Sequence, residues 1–230
     1  MSATQQKTPG QEGPRTEGPN PFAGFRKKTY RLGEAVGHLA ALAPRLSDIY
    51  AIWARKRLEP LFREEIMVAV ARANACRFCN FVHGQWALAQ GLSEEELARI
   101  GDGKGTAPAD RELAFSYAQA LSSGDFAPVS PEQESEMTKR FGWPATRDVE
   151  TVARVMTLAN RSANTVDALV SRLRGNPAAA SRLADELVIG AAFALVYPMM
   201  IIVLAFLRRR SPLALLRDFA NAADPGGKKL

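Results

Sequence analysis

Only two cysteines occur in this chain of 230 residues, Cys76 and Cys79, and His83 follows them on the same local pattern. On a helix the thiols fall at i and i+3 and the imidazole at i+7, so all three leave one face. Glu64 belongs with them only if the chain folds back, because a single straight helix would set it about 18 Å from Cys76 at ~1.5 Å rise per residue. The stretch Arg72-Ala73-Asn74-Ala75 offers the turn, since asparagine disfavours helix interiors and readily caps the next helix. With a pivot near Asn74, Glu64 and His83 lie at matching distances on either side and meet in an antiparallel helical hairpin. Glu64 shares its face with Leu61, Val68 and Ala71, whereas its neighbour Glu65 lines up with Arg72 and is expected in solvent.

These groups together suit thiol chemistry. A thiolate is the nucleophile, and an ordinary cysteine is mostly thiol at neutral pH, so it needs a base, a positive neighbour or a helix N-terminus. Cys76 begins a helix and gains from its dipole, while His83 stands one turn from Cys79 and can take its proton. Glu64 then orients the imidazole and stabilises its charged form. A thiolate beside a second thiol can reduce a peroxide, passing through a sulfenic acid to a disulfide that an external dithiol must reset. Cys79, the nearer to His83, is expected to be attacked first.

Other readings of the same residues are weaker. A closed zinc site needs four ligands, and the remaining histidine, His38, lies in a separate segment and reads as structural. No metal and no cofactor is expected. Two cysteines are too few for an extracellular disulfide framework. Phe78, Phe81 and Trp86 read as core or pocket wall. Asn160 and Asn164, one turn apart, either line the site or satisfy helix backbone. Gly101-Asp102-Gly103-Lys104-Gly105-Thr106 lacks the phosphate-loop spacing and follows a helix, so it reads as a flexible connection.

No strand signal interrupts the chain. Helices are expected over about Arg31–Leu42, Leu46–Leu58, Leu61–Ala73 and Cys76–Gln90. A short helix capped by Ser93 and Glu96 and one over Arg111–Leu121 follow. Another opens at Ser130-Pro131 with Gln133 completing a capping box, and a long one covers Arg147–Arg174 before Gly175-Asn176-Pro177. The fold class is all-α, a helical bundle whose leftover apolar faces favour a homo-oligomer.

The run Glu64-x11-Cys76-Arg77-Phe78-Cys79-Asn80-Phe81-Val82-His83 resembles the signature of the alkyl hydroperoxidase D-like family, within the carboxymuconolactone decarboxylase superfamily. The likeness extends from about Leu58 to Leu173. It takes in the spacer helix ending at Gly91, the acidic start Ser93-Glu94-Glu95-Glu96, the segment Asp110-Arg111-Glu112-Leu113-Ala114-Phe115, and the late helix bearing Asn160-Arg161 and Asn164. The resemblance implies an alkyl hydroperoxidase D-like helical bundle, a homo-oligomer, and thiol peroxidase or disulfide reductase activity. In that pattern Cys79 and Cys76 are the redox pair, and Glu64 and His83 the proton relay. Some members carry a second histidine between the cysteines, where this chain has Phe78, so a route assisted from that position is not open to it.

Residues 1–25, rich in Pro, Gly, Gln and Thr, are expected to be disordered, and they contain no apolar stretch of signal-peptide type. A cytoplasmic catalytic domain over 26–176 follows, which suits a dithiol that must stay reducible. The net charge of +6 sits at the ends: +4 over residues 1–31, −2 over the middle and +4 over 208–230. No aromatic interleaving accompanies the basic tail, so an anionic membrane surface is a better partner for it than nucleic acid. The extension 177–230 contains a charge-free run, Leu187–Leu207, closed by Arg208-Arg209-Arg210. Its length suits a membrane helix. Pro198 divides it, and arginines beyond a single crossing would oppose the positive-inside tendency. Spanning, insertion from the cytoplasmic side and burial between subunits all stay open, and Ser211–Ala220 reads as an interfacial amphipathic segment.

The expected function is a thiol-dependent peroxidase or disulfide oxidoreductase acting on a peroxide, reset by an external dithiol or thioredoxin-like reductant. A carboxymuconolactone-type decarboxylase, which would not need the thiols, and a membrane-bound redox sensor without turnover are the alternatives.

Overall fold

A computed structural model describes residues 25, 27–101 and 108–222. The expected disorder over 1–25, apart from Phe25, and most of the Gly101–Thr106 connection therefore lie outside the described residues.

Every regular element among the described residues is helical. The order is α1 (Leu32–Leu42), a 3-10 turn (Ala43–Arg45), α2 (Leu46–Trp53), α3 (Pro60–Ala73), α4 (Arg77–Ala89), α5 (Glu94–Arg99), α6 (Ala109–Ser123), α7 (Pro131–Leu173), α8 (Leu183–Arg208) and α9 (Pro212–Asn221). The start signals act as their chemistry requires. Prolines open α3, α7 and α9 where no backbone donor is needed, Ser93 and Glu96 form a reciprocal capping box, and Ser130 Oγ accepts the Gln133 N–H.

Two expected boundaries move. α2 stops at Trp53, and the chain turns through Lys56 with φ 55 before Pro60. α7 continues upstream of Arg147 to Pro131, broken at Gly142 with φ 76, so that Pro144 falls in the first turn after the break, where its missing N–H costs nothing. Pro198, by contrast, lies within α8 without ending it.

α3 occupies the centre, packed by α4, α6 and α7. Its run Ile66–Ala71 is buried all round, because every residue in it is apolar and Ala69 and Ala71 let neighbours approach closely. α8 lies along α7 and α4, and its Ile201, Leu204 and Ala205, with Leu215 of α9, join the same core as α3 and α4. The fully buried Glu186 ties the start of α8 to Arg172 of α7 through two hydrogen bonds of 2.7 and 2.9 Å. α8 is also the one helix among the described residues long and apolar enough to cross a membrane, by length and composition.

Candidate functional site

The turn between α3 and α4 decides the site. Asn74 caps α3, and Ala75 takes a left-handed conformation with φ 51. The Ala75 N–H then reaches Arg72 O at 3.0 Å and the Cys76 N–H reaches Ala71 O at 2.9 Å, the paired bonds of a Schellman stop. Side chains from elsewhere secure it. Asn74 Nδ2 donates to Val70 O and to Ser122 Oγ, while Asn160 and Asn164 of α7 donate to Val70 O and Asn74 O. The two α7 asparagines thus satisfy backbone carbonyls at the end of α3. Glycine is the usual residue at the left-handed position, and an alanine there costs about 1–2 kcal/mol. Ala75→Gly should therefore raise stability by roughly 0.5–1 kcal/mol after the added freedom of the unfolded chain is counted. An unchanged or lowered urea midpoint would show that the Ala75 methyl contributes packing.

Cys76 is the N-cap of α4, and its Sγ accepts the Cys79 N–H at 3.2 Å. The two cysteines form a disulfide, with their Cα atoms 5.4 Å apart and both residues buried. One turn beyond Cys79, His83 Nδ1 lies 2.7 Å from Glu64 Oε2, so the hairpin sets these two groups side by side across α3 and α4. The other carboxylate oxygen, Oε1, accepts from Arg63 Nε and Nη2 at 3.1 and 2.9 Å. Burial pushes the Glu64 carboxyl up, but the hydrogen bonds and charges of His83 and Arg63 outweigh it and hold the group below the usual glutamate range. An ionised carboxylate only accepts, so Nδ1 carries the proton and Nε2 is left as the base. Trp86 meets His83 edge to face at 5.2 Å between ring centres.

Two contributors go beyond the sequence reading. Arg63 fixes the far oxygen of Glu64, and its guanidinium lies over the Trp53 ring of α2 at 5.4 Å. Adjacency of Arg63 to Glu64 was the available signal; Trp53 offered none. Phe78, between the cysteines, packs at ring-centre distances of 5.3 and 4.5 Å on Phe193 and Tyr197 of α8 and meets Phe219 of α9, whose ring also carries the Arg77 guanidinium. The C-terminal helices therefore form the wall behind the redox turn. His38 stands apart on α1, hydrogen-bonded to the Tyr30 hydroxyl at 2.6 Å.

Glu65 is not solvated, contrary to the helical-face reading. It is buried, and its Oε2 lies 2.7 Å from Arg111 Nη1 of α6 without an aligned hydrogen bond. Arg72 instead turns to Asn80 and the carbonyls of Leu97, Ala98 and Ile100. Burial outweighs the Arg111 charge and pushes the Glu65 carboxyl up to about 7. Because the folded value exceeds the unfolded one, the folded state binds the extra proton between the two, and stability falls as pH rises from about 4.3 to 7. Ionising such a carboxyl costs on the order of 3 kcal/mol. Glu65→Gln should flatten this loss in urea titrations across that window, and an unaltered pH profile would contradict the raised value.

Residues 47–114 match the model of the carboxymuconolactone decarboxylase family. Over these residues the chain is similar to that family. The matched segment contains Glu64, both cysteines and His83, while Asn160, Asn164 and the C-terminal helices lie beyond it. That match, on an all-α scaffold, agrees with the broader superfamily that the signature resembles. Searches of curated proteins and of solved structures gave no significant match.

Proposed function

We propose that this protein is a thiol-dependent peroxidase or disulfide oxidoreductase of the alkyl hydroperoxidase D type, using Cys79 and Cys76 as its redox pair. The observation that supports it most is the buried Glu64–His83 pair one turn from a disulfide whose Cys76 sulfur sits at a helix N-terminus. In the reduced protein, His83 Nε2 takes the Cys79 proton, and Glu64 stabilises the imidazolium through Nδ1. The Cys79 thiolate attacks the peroxide, the O–O bond breaks, and the alcohol leaves with a proton while Cys79 becomes a sulfenic acid. Cys76 then displaces hydroxide as water and closes the disulfide. An external dithiol or thioredoxin-like protein attacks Cys79 and expels Cys76, whose departing thiolate is stabilised by the α4 N-terminus.

We place the reaction in a homo-oligomer on the cytoplasmic side of a membrane, with α8 as the attachment. The decisive experiment is steady-state consumption of hydrogen peroxide and of an alkyl hydroperoxide with dithiothreitol or thioredoxin supplied. Continuous turnover is the expected result. One equivalent oxidised without turnover would instead identify a redox sensor. A decarboxylase reading has one point in its favour, the family of residues 47–114. That activity would survive removal of both thiols.

A further inference from the structure

α8 presents two unlike faces. Toward the protein, Glu186 holds Arg172, Ile189, Ile201 and Leu204 are buried, and Phe193 and Tyr197 press on Phe78. Away from it, Leu195, Met199, Ile202 and Phe206 fall at i, i+4, i+7 and i+11 and are 82, 61, 61 and 84% exposed. That periodicity makes one stripe, and no charged residue interrupts the run from Leu187 to Leu207 that carries it. Apolar faces of this extent on a folded domain mark an interaction surface.

We infer that this face docks in the plane of an anionic phospholipid bilayer, with α8 lying along the membrane surface rather than crossing it. The inference develops the membrane location proposed above and is independent of the redox chemistry. Both ends of α8 are held by the same domain: Asp185 accepts the Leu32 N–H and Glu186 pairs with Arg172 at one end, while Leu204 and, after the turn, Leu215 are buried at the other. A crossing helix would have to pull Glu186 off its arginine and strip Phe78 of its cover. A helix with one committed face and one apolar face suits the headgroup–acyl boundary, where it sinks about 5–10 Å.

Charge selects lipid over a second copy of the chain. Exposed arginines bound the apolar face at both ends, Arg174 and Arg182 at its start and Arg209 and Arg210 at its finish, with Arg217 beyond; of these Arg210 is paired with Asp218 at 2.6 Å, which leaves the ends with a cationic excess. Two copies packed on this face would set cations against cations whether the helices ran parallel or antiparallel. An anionic surface is complementary at both ends. At the finish, an open hollow is lined by Ala205, Phe206, Leu207, Arg209 and Arg210, and the Arg208 Nε is buried without a hydrogen-bond partner. Apolar side chains beside guanidinium donors suit a phosphate headgroup above its acyl chain.

Flotation of the full chain with vesicles provides the test. The protein should float with phosphatidylcholine vesicles containing phosphatidylglycerol, far less with phosphatidylcholine alone, and should be released from cell membranes by alkaline carbonate. Arg208→Ser, Arg209→Ser and Arg210→Ser combined should weaken partitioning about a hundredfold at low salt, at roughly fivefold per arginine. Leu195→Asp with Phe206→Asp should abolish flotation while circular dichroism stays unchanged; if that pair misfolds, the arginine variant carries the test. Absence of flotation, resistance to carbonate, or a smaller oligomer by light scattering in the Leu195→Asp, Phe206→Asp protein would each overturn the inference. Peroxide turnover, measured in parallel without vesicles, reports on the redox reading alone.

Discussion

Replacing either Cys76 or Cys79 with serine is expected to reduce peroxide turnover to background, while only one of the two substitutions prevents the first oxidation. The chemistry demands both sulfurs for a cycle, because one must form the sulfenic acid and the other must condense with it. In the Cys76→Ser protein, Cys79 keeps His83 one turn away and should still be oxidised once. Its sulfenic acid then has no thiol to close on and should accumulate, so that a dimedone-type trap labels Cys79. Serine is itself a good N-cap, and the hydroxyl introduced at that position can accept the same Cys79 N–H that the Cys76 sulfur accepts at 3.2 Å. The helix start should therefore survive, and the lost turnover can be assigned to the missing thiol. Trapping on Cys76 alone, in the Cys79→Ser protein, would exchange the two roles. Peroxide turnover that persists in both serine proteins would remove the thiols from the mechanism.

The hairpin behind this chemistry was legible because its determinants are local. Asn74 marks the pivot, the cysteine and histidine spacing shares one helical face, and the apolar partners of Glu64 mark its side of α3. Glu65 was misplaced for the complementary reason. Helical periodicity compares a residue with neighbours on its own helix, and the partner that receives Glu65 is Arg111, on α6. Non-local contacts also hid the part of Trp53, which reaches the site through Arg63. The helices expected from Ser130-Pro131 and over Arg147–Arg174 are joined as α7, because Gly142 absorbs the whole bend in one residue and lets helix resume at once. The run Leu187–Leu207 was ambiguous in principle, since hydropathy records how apolar a segment is and not what covers it. Packing settles only its inner half: Ile189, Ile201 and Leu204 face the protein, while Leu195 and Phe206 do not.

The relay should show itself as a failure of additivity. His83→Ala is expected to lower turnover by roughly 10²-fold at neutral pH, the ordinary size of a general-base contribution, and Glu64→Gln should act along the same path. Glutamine can still accept from Nδ1 but carries no charge to stabilise the imidazolium, so its effect should be smaller and should vanish when His83 is already absent. The double variant should thus be no slower than His83→Ala alone. Stability provides a separate reading of the same pair. Since His83 and Arg63 hold the Glu64 carboxyl below its ordinary value, the folded state gains from ionisation at neutral pH and loses that gain as pH falls through the lowered folded value. Glu64→Gln removes the gain and leaves Arg63 short of an anionic partner. The stability gap between wild type and Glu64→Gln should accordingly be widest near neutrality and close below about pH 4.3, the unfolded glutamate value. Glu65→Gln is the internal control, one residue away yet paired to Arg111 and not to His83, and it should leave turnover unchanged. If Glu64→Gln is silent in turnover, or Glu65→Gln is the damaging change, the contact between Glu64 and His83 orders the hairpin and does not move protons.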